Sequence, residues 1–217
     1  MIDTNKMEQL KKIRDEVINL KNSPLYEYRI KNNYHPVLGE GNHNAEVMFV
    51  GEAPGLNEAK QGRPFCGAAG RVLDELFESI GMDRKSVYVT NIVKDRPPNN
   101  RDPLPEEIAL YAPFLMRQIE VIKPKIIATL GRISMGIVFQ EFGLQEELQT
   151  ISKMHGMVFD AKASYVPIKI VALYHPAVGT YNPNTKDAMK RDFLIIKKLT
   201  EGAGRVVTNQ PSQEKLL

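Results

Sequence analysis

The chain has 217 residues, 42% hydrophobic and 25% charged, which suits one folded domain and excludes a disordered, collagen-like or coiled-coil chain. Lys plus Arg number 29 against 26 Asp plus Glu, and this net charge of +3 permits a polyanionic partner without demanding one. A single cysteine, Cys66, excludes an internal disulfide or a centre of several thiolates, and with no apolar run near the roughly 18 residues of a membrane span and no apolar leader, a cytoplasmic protein free of the membrane is expected, with monomer as the default.

Met7, Leu10, Ile13, Val17 and Leu20 recur at spacings of three and four and predict a first helix. A turn-rich stretch follows with Pro24, Pro36, Gly39 and Gly41. Residues 46–50 form a short apolar run between turn signals, as a buried strand does. Val72, Leu73, Leu76, Phe77 and Ile80 mark the next helix, with Gly81 at its C-terminal end. Residues 87–90 are a second strand rich in β-branched residues. Pro105, Glu106 and Glu107 open a helix with proline and acids in its first turn, and Ile108, Tyr111, Leu115, Ile119 and Ile122 give its apolar face. A third strand over 125–130, a helix to about residue 142, a small hairpin over 149–160, a fourth strand over 168–173 and a helix over 187–199 complete the pattern. Strands alternating with helices predict a three-layer α/β/α sandwich around a central four-stranded, mainly parallel sheet. The domain spans residues 1–200, and 201–217 read as a flexible tail.

In such folds ligands bind beyond the carboxyl ends of the strands. Gly51-Glu52-Ala53-Pro54-Gly55 follows the first strand, Asn91 the second and His175-Pro176 the fourth. The glycine turn has neither the lysine of a phosphate loop nor a dinucleotide spacing. Each feature by itself has an ordinary structural explanation.

Together they carry a resemblance. VMFVGEAPG (47–55), Glu58 with GRPFCGAAGRVLDEL (62–76), VYVTNIVKDRPPNNRDP (87–103), PEEIALYAPFLMRQIEVIKPKIIATLG (105–131) and LYHPA (173–177) resemble the uracil-DNA glycosylase superfamily, most closely its family 4. The resemblance implies a monofunctional glycosylase that removes uracil from single- or double-stranded DNA and leaves an abasic site. A glycosylase for another deaminated base and a non-catalytic DNA-binding relative stand as alternatives. It implies that Phe65 stacks on the everted base, that the Asn91 amide reads its edge, and that His175 donates to uracil O2 as the glycosidic bond breaks. Gly51, Ala53, Pro54 and Gly55 would wall the base, and Glu52 and Glu58 would order the pocket, orient water or stabilise the sugar cation. In the best-known branch Ala53 is an aspartate and Gly55 a tyrosine. Lys94, Arg96, Arg101, Pro176, Val178 and Tyr181 would meet DNA.

The chain departs from the family twice. Typical family 4 members hold a four-iron four-sulfur cluster on four cysteines. The corresponding positions here are Leu20, Ser23, Tyr111 and one within Ile126–Thr129, so no metal and no cluster are expected, with packing taking over its structural part. After His175 the family carries an apolar wedge and an arginine, where this chain has Val178, Gly179 and Tyr181. That change predicts a preference for uracil in single strands or U·G mismatches, where base opening costs less.

Overall fold

The computed structural model describes residues 4–180 and 183–202; Tyr181 and residues 203–217, the bulk of the expected tail, lie outside the described residues. In chain order the helices are α1 (Thr4–Ile18), α2 (Pro24–Lys31), α3 (Leu56–Gln61), α4 (Ala68–Ser79), α5 (Pro105–Ile122), α6 (Arg132–Glu141), α7 (Ile151–Met154) and α8 (Pro183–Thr200). The strands are β1 (Glu40–Gly41), β2 (Val47–Gly51), β3 (Tyr88–Asn91), β4 (Ile126–Leu130), β5 (Val158–Lys162) and β6 (Pro167–Leu173).

The sheet order is β1-β3-β2-β4-β6-β5. The four expected strands form its parallel centre, β3-β2-β4-β6. The expected count of four is corrected to six, because β1 and β5 add antiparallel edges. Edge strands are held by backbone pairing rather than by a buried face, so apolar patterning marks them weakly. The hairpin expected over 149–160 is instead the single turn of α7 followed by β5, which turns back onto β6. Pro24, read as a loop residue, opens α2; Ser23 Oγ accepts the N–H of Leu25, and proline in a first turn starts a helix rather than breaking it.

Alternation along the strands builds two cores. Met48, Val50, Ile127, Ile170 and Ala172 face α1, α2, α5 and α6. Val47, Phe49, Ile126, Ala128, Val171 and Leu173 face α4 and α8. Both faces of the central strands are buried, as a parallel sheet requires, and the three-layer α/β/α architecture follows. Among the described residues no helix is long and apolar enough to cross a membrane.

Candidate active site

The chain runs from β2 to β3 on one side and then places β4 on the other side of β2. Such a switch in strand order opens a crevice at the carboxyl ends. A cavity of about 490 Å³ lies there, lined by Glu52, Ala53, Pro54, Gly55, Glu58, Phe65, Ala69, Asn91, Pro97, Asn100, Arg101, Asp102, His175 and Ala177. Residues far apart in sequence thus meet. Gly51 and Asn91 are direct partners in the parallel ladder. The ladder continues past the strand ends, since Ile92 N–H donates to the Gly51 carbonyl and Val93 N–H to that of Glu52.

Asn91 is 2% exposed, and its Oδ1 is buried without a hydrogen-bond partner. A buried acceptor left unpaired costs about 1–3 kcal/mol, so such an atom calls for a ligand. A Cβ on Gly51 would stand 2.3 Å from that oxygen and 2.7 Å from Phe65 Cζ; only glycine serves as the floor here. The Phe65 ring centroid lies 5.8 Å from that of His175. Phe65 has φ +49°, a costly conformation for a bulky side chain. Its turn sits tightly on α4, where a Cβ on Gly70 would lie 1.8 Å from the Phe65 carbonyl oxygen.

His175 follows β6. The Ala177 N–H donates to its Nδ1 at 3.2 Å, which leaves the proton of the neutral ring on Nε2. Desolvation pushes its pKa down to about 4, so the ring is a neutral donor over the working pH range.

The two carboxylates differ. Glu58 Oε1 accepts the backbone N–H groups of Cys66 at 3.1 Å and Gly67 at 2.8 Å, and Gly67 is the N-cap of α4. It ties α3 to the Phe65 turn and satisfies a helix start. Glu52 makes no such commitment. Desolvation, and then the nearby charge of Asp102, raise its pKa to about 7, with Arg132 opposing. Asp102 and Arg132 pair at 2.9 Å at the rim. Asn100 and Asp102 belong to this wall although they were not singled out in the sequence; the positive φ of Asn99 and Asn100 is the turn chemistry that an Asn-Asn pair signals.

Four of the expected DNA contacts are corrected or narrowed by the geometry. Lys94 is 0% exposed, spent on interior acceptors, and cannot meet a phosphate. Pro176 is buried in the short turn 176–180. Arg101 is committed as a bidentate partner of the buried Glu107, at 2.8 and 2.6 Å, and lines the cavity wall. Arg96 braces its own loop, donating to Asn100 Oδ1 and the Tyr28 hydroxyl. Val178 projects from the turn at 43% exposed.

Ser23 and Tyr111, positions implied for a cluster, do meet. Ser23 Oγ lies 3.0 Å from the Tyr111 hydroxyl, which donates to Asp95 Oδ2 at 2.6 Å. Asp95 in turn pairs with Arg29, and both are nearly sealed from solvent, at 1% and 4%. Arg29 also donates to the Val17 and Ile18 carbonyls at the end of α1. Leu20 packs against the core cluster to which Tyr111 belongs. The network draws in Asp95 rather than a residue of Ile126–Thr129, which lie in β4. A hydrocarbon, two engaged hydroxyls and a paired carboxylate are not the thiolate set an iron–sulfur cluster needs, so these residues do not fit one.

Comparison with known proteins gives a consistent picture. The model of the Uracil DNA glycosylase superfamily matches residues 38–196. The chain is 46% identical over 194 residues to a Type-4 uracil-DNA glycosylase of Sulfurisphaera tokodaii, covering 89% of this chain and 86% of that one. It is 43% identical over 199 residues to a Type-4 uracil-DNA glycosylase of Archaeoglobus fulgidus, covering 92% and 96%. A third, from Saccharolobus solfataricus, is 42% identical over 193 residues, covering 88% and 87%.

Proposed function

The chain belongs to the uracil-DNA glycosylase superfamily, and we propose that it hydrolyses the N-glycosidic bond of an everted uracil in DNA, leaving an abasic site. The observation that carries the reading is the orphaned Asn91 Oδ1 at the bottom of the cavity. Uracil offers an N3–H donor to that oxygen and an O4 acceptor to the amide N–H. Cytosine offers the reverse pattern and would leave buried groups unpaired, the kind of mismatch that discriminates strongly. Phe65 supplies the stacking face.

Water adds at C1′ of the sugar while the C1′–N1 bond breaks, its electron pair leaving with the base; the proton that the water gives up ends, by way of solvent, on the departing uracil anion. Negative charge then grows on uracil O2, where the His175 Nε2–H is the donor. A neutral donor fixed before the reaction helps the transition state more than the ground state. Glu52 in its ionised form offsets the cationic sugar or orients the water. Ala53 supplies no carboxylate to this step, so catalysis leans on the leaving group. DNA is the partner, met by the exposed Val178 of the turn after His175, while Arg96 and Arg101 brace the loop that walls the cavity. The reaction proceeds without an iron–sulfur cluster.

Cleavage of uracil-containing oligonucleotides tests the reading. Asn91→Ala and His175→Ala should each cost at least tenfold in single-turnover rate, about 1.4 kcal/mol of transition-state stabilisation. Single-stranded and U·G substrates should outrun U·A, because the exposed Val178 is a small wedge and Gly179 beside it is packed against Val72 and Met189. Variants that cleave like the parent would sink the assigned roles, and preference for hypoxanthine over uracil would move the substrate to another deaminated base.

A further inference from the structure

Behind Asn91 stands a buried lysine that the mechanism above leaves without a task. The Lys94 ammonium donates to Thr90 Oγ1 at 2.9 Å, to the Asn91 carbonyl at 2.6 Å and to Gln118 Oε1 at 2.6 Å. Three N–H groups thus meet three neutral acceptors, and no carboxylate is among its hydrogen-bonding partners. Burying an ammonium without a counter-charge is costly, and burial does push its pKa down, to about 7. A methionine would fill the same space at lower cost, so the energy is spent on the three bonds.

The acceptors are themselves fixed. Thr90 Oγ1 and Gln118 Nε2 both donate to the Leu38 carbonyl at 2.7 Å, and the Lys94 carbonyl accepts the Val37 N–H at 2.7 Å. On the cavity side, Ile92 and Val93 are pinned to Gly51 and Glu52. The Asn91 peptide is therefore gripped from both directions, while its side-chain oxygen stays buried and unpartnered beside the cavity.

We propose that Lys94 is a positioning residue, which clamps the Asn91 peptide from behind and thereby sets where the base-reading amide stands. The inference rests on the proposed role of Asn91 in reading uracil. It explains why a cation in the proline-rich loop is turned inward rather than toward phosphate.

A double-mutant cycle reads the coupling. Lys94→Met should slow uracil cleavage about tenfold and narrow the preference for uracil over cytosine. In an Asn91→Ala background the same substitution should change the rate less than twofold. Equal losses in both backgrounds overturn the proposal. Gln118→Met, which removes one acceptor and leaves the lysine, should show a smaller loss with the same cancellation, and serves if Lys94→Met does not fold. A crystal structure of whichever variant folds gives a readout independent of activity: a shifted Asn91 side chain supports the clamp and an unmoved one overturns it. A parent protein inactive on uracil would refute the proposed function, and the crystal structure would still decide the clamp.

Discussion

Glu52 sits where desolvation and the charge of Asp102 both oppose ionisation, with Arg132 the weaker counterweight. In the unfolded chain its carboxyl releases a proton near the ordinary value of 4.5, while the folded protein holds it to about 7. The unfolded state therefore binds fewer protons between those values, and this residue lowers stability as pH rises through that window. Glu52→Gln should raise the Tm at pH 8 by a few degrees and leave it nearly unchanged at pH 4, as thermal denaturation will read. The same substitution should flatten the rise in cleavage rate between pH 6 and pH 8 that ionisation of Glu52 gives the parent. His175 behaves oppositely: its depressed pKa makes the neutral ring a stabilising feature above the unfolded value of 6.5, lost as pH falls toward about 4, and it adds no limb to the rate profile between pH 6 and pH 8. Asn91 and His175 were legible in the sequence because they stand at or just past strand ends, where the fold class alone predicts the crevice. Lys94 was not, since a lysine in a polar loop reads as solvated; its acceptors come from positions 90, 91 and 118, and only the packed fold joins them.

Short elements do the aiming. α3 has six residues, and its work is to present Glu58 to the start of α4. Glu58→Ala would strip the acceptor from two backbone N–H groups, at about 1–3 kcal/mol. A chain of this size loses roughly 2–4 °C of Tm per kcal/mol, so a fall of about 2–12 °C is expected by calorimetry. Because the lost bonds hold the turn that carries Phe65 in its positive-φ conformation, the Michaelis constant for uracil DNA should rise with it. α2 and α3 escaped sequence reading for a common reason: eight and six residues give too few turns for an apolar stripe to repeat. Gly81, by contrast, was legible and carries φ +69° after α4, the left-handed stop that glycine supplies.

Across the whole molecule, the Arg29–Asp95–Tyr111–Ser23 network fastens α1, α2, α5 and the loop that leads from β3 to the cavity. Iron and sulfide analysis of the purified protein should find neither, and about four irons per chain would refute the cluster-free reading. Asp95→Ala would leave the Arg29 guanidinium buried without its counter-charge, a loss of about 3–5 kcal/mol, visible as a drop in Tm of about 6–20 °C. The central four strands and the two cores were legible from periodicity, whereas this network was not: serine and tyrosine in an apolar setting look like simple substitutions until Asp95 is found between them and Arg29. The shared register of Gly51 and Asn91, prolonged by the amides of Ile92 and Val93, has a last consequence. The base-reading floor of the cleft is the end of the sheet itself, while Phe65 and His175 reach it from turns. Native-state hydrogen exchange should therefore find the Ile92 and Val93 amides about as protected as those of the central strands.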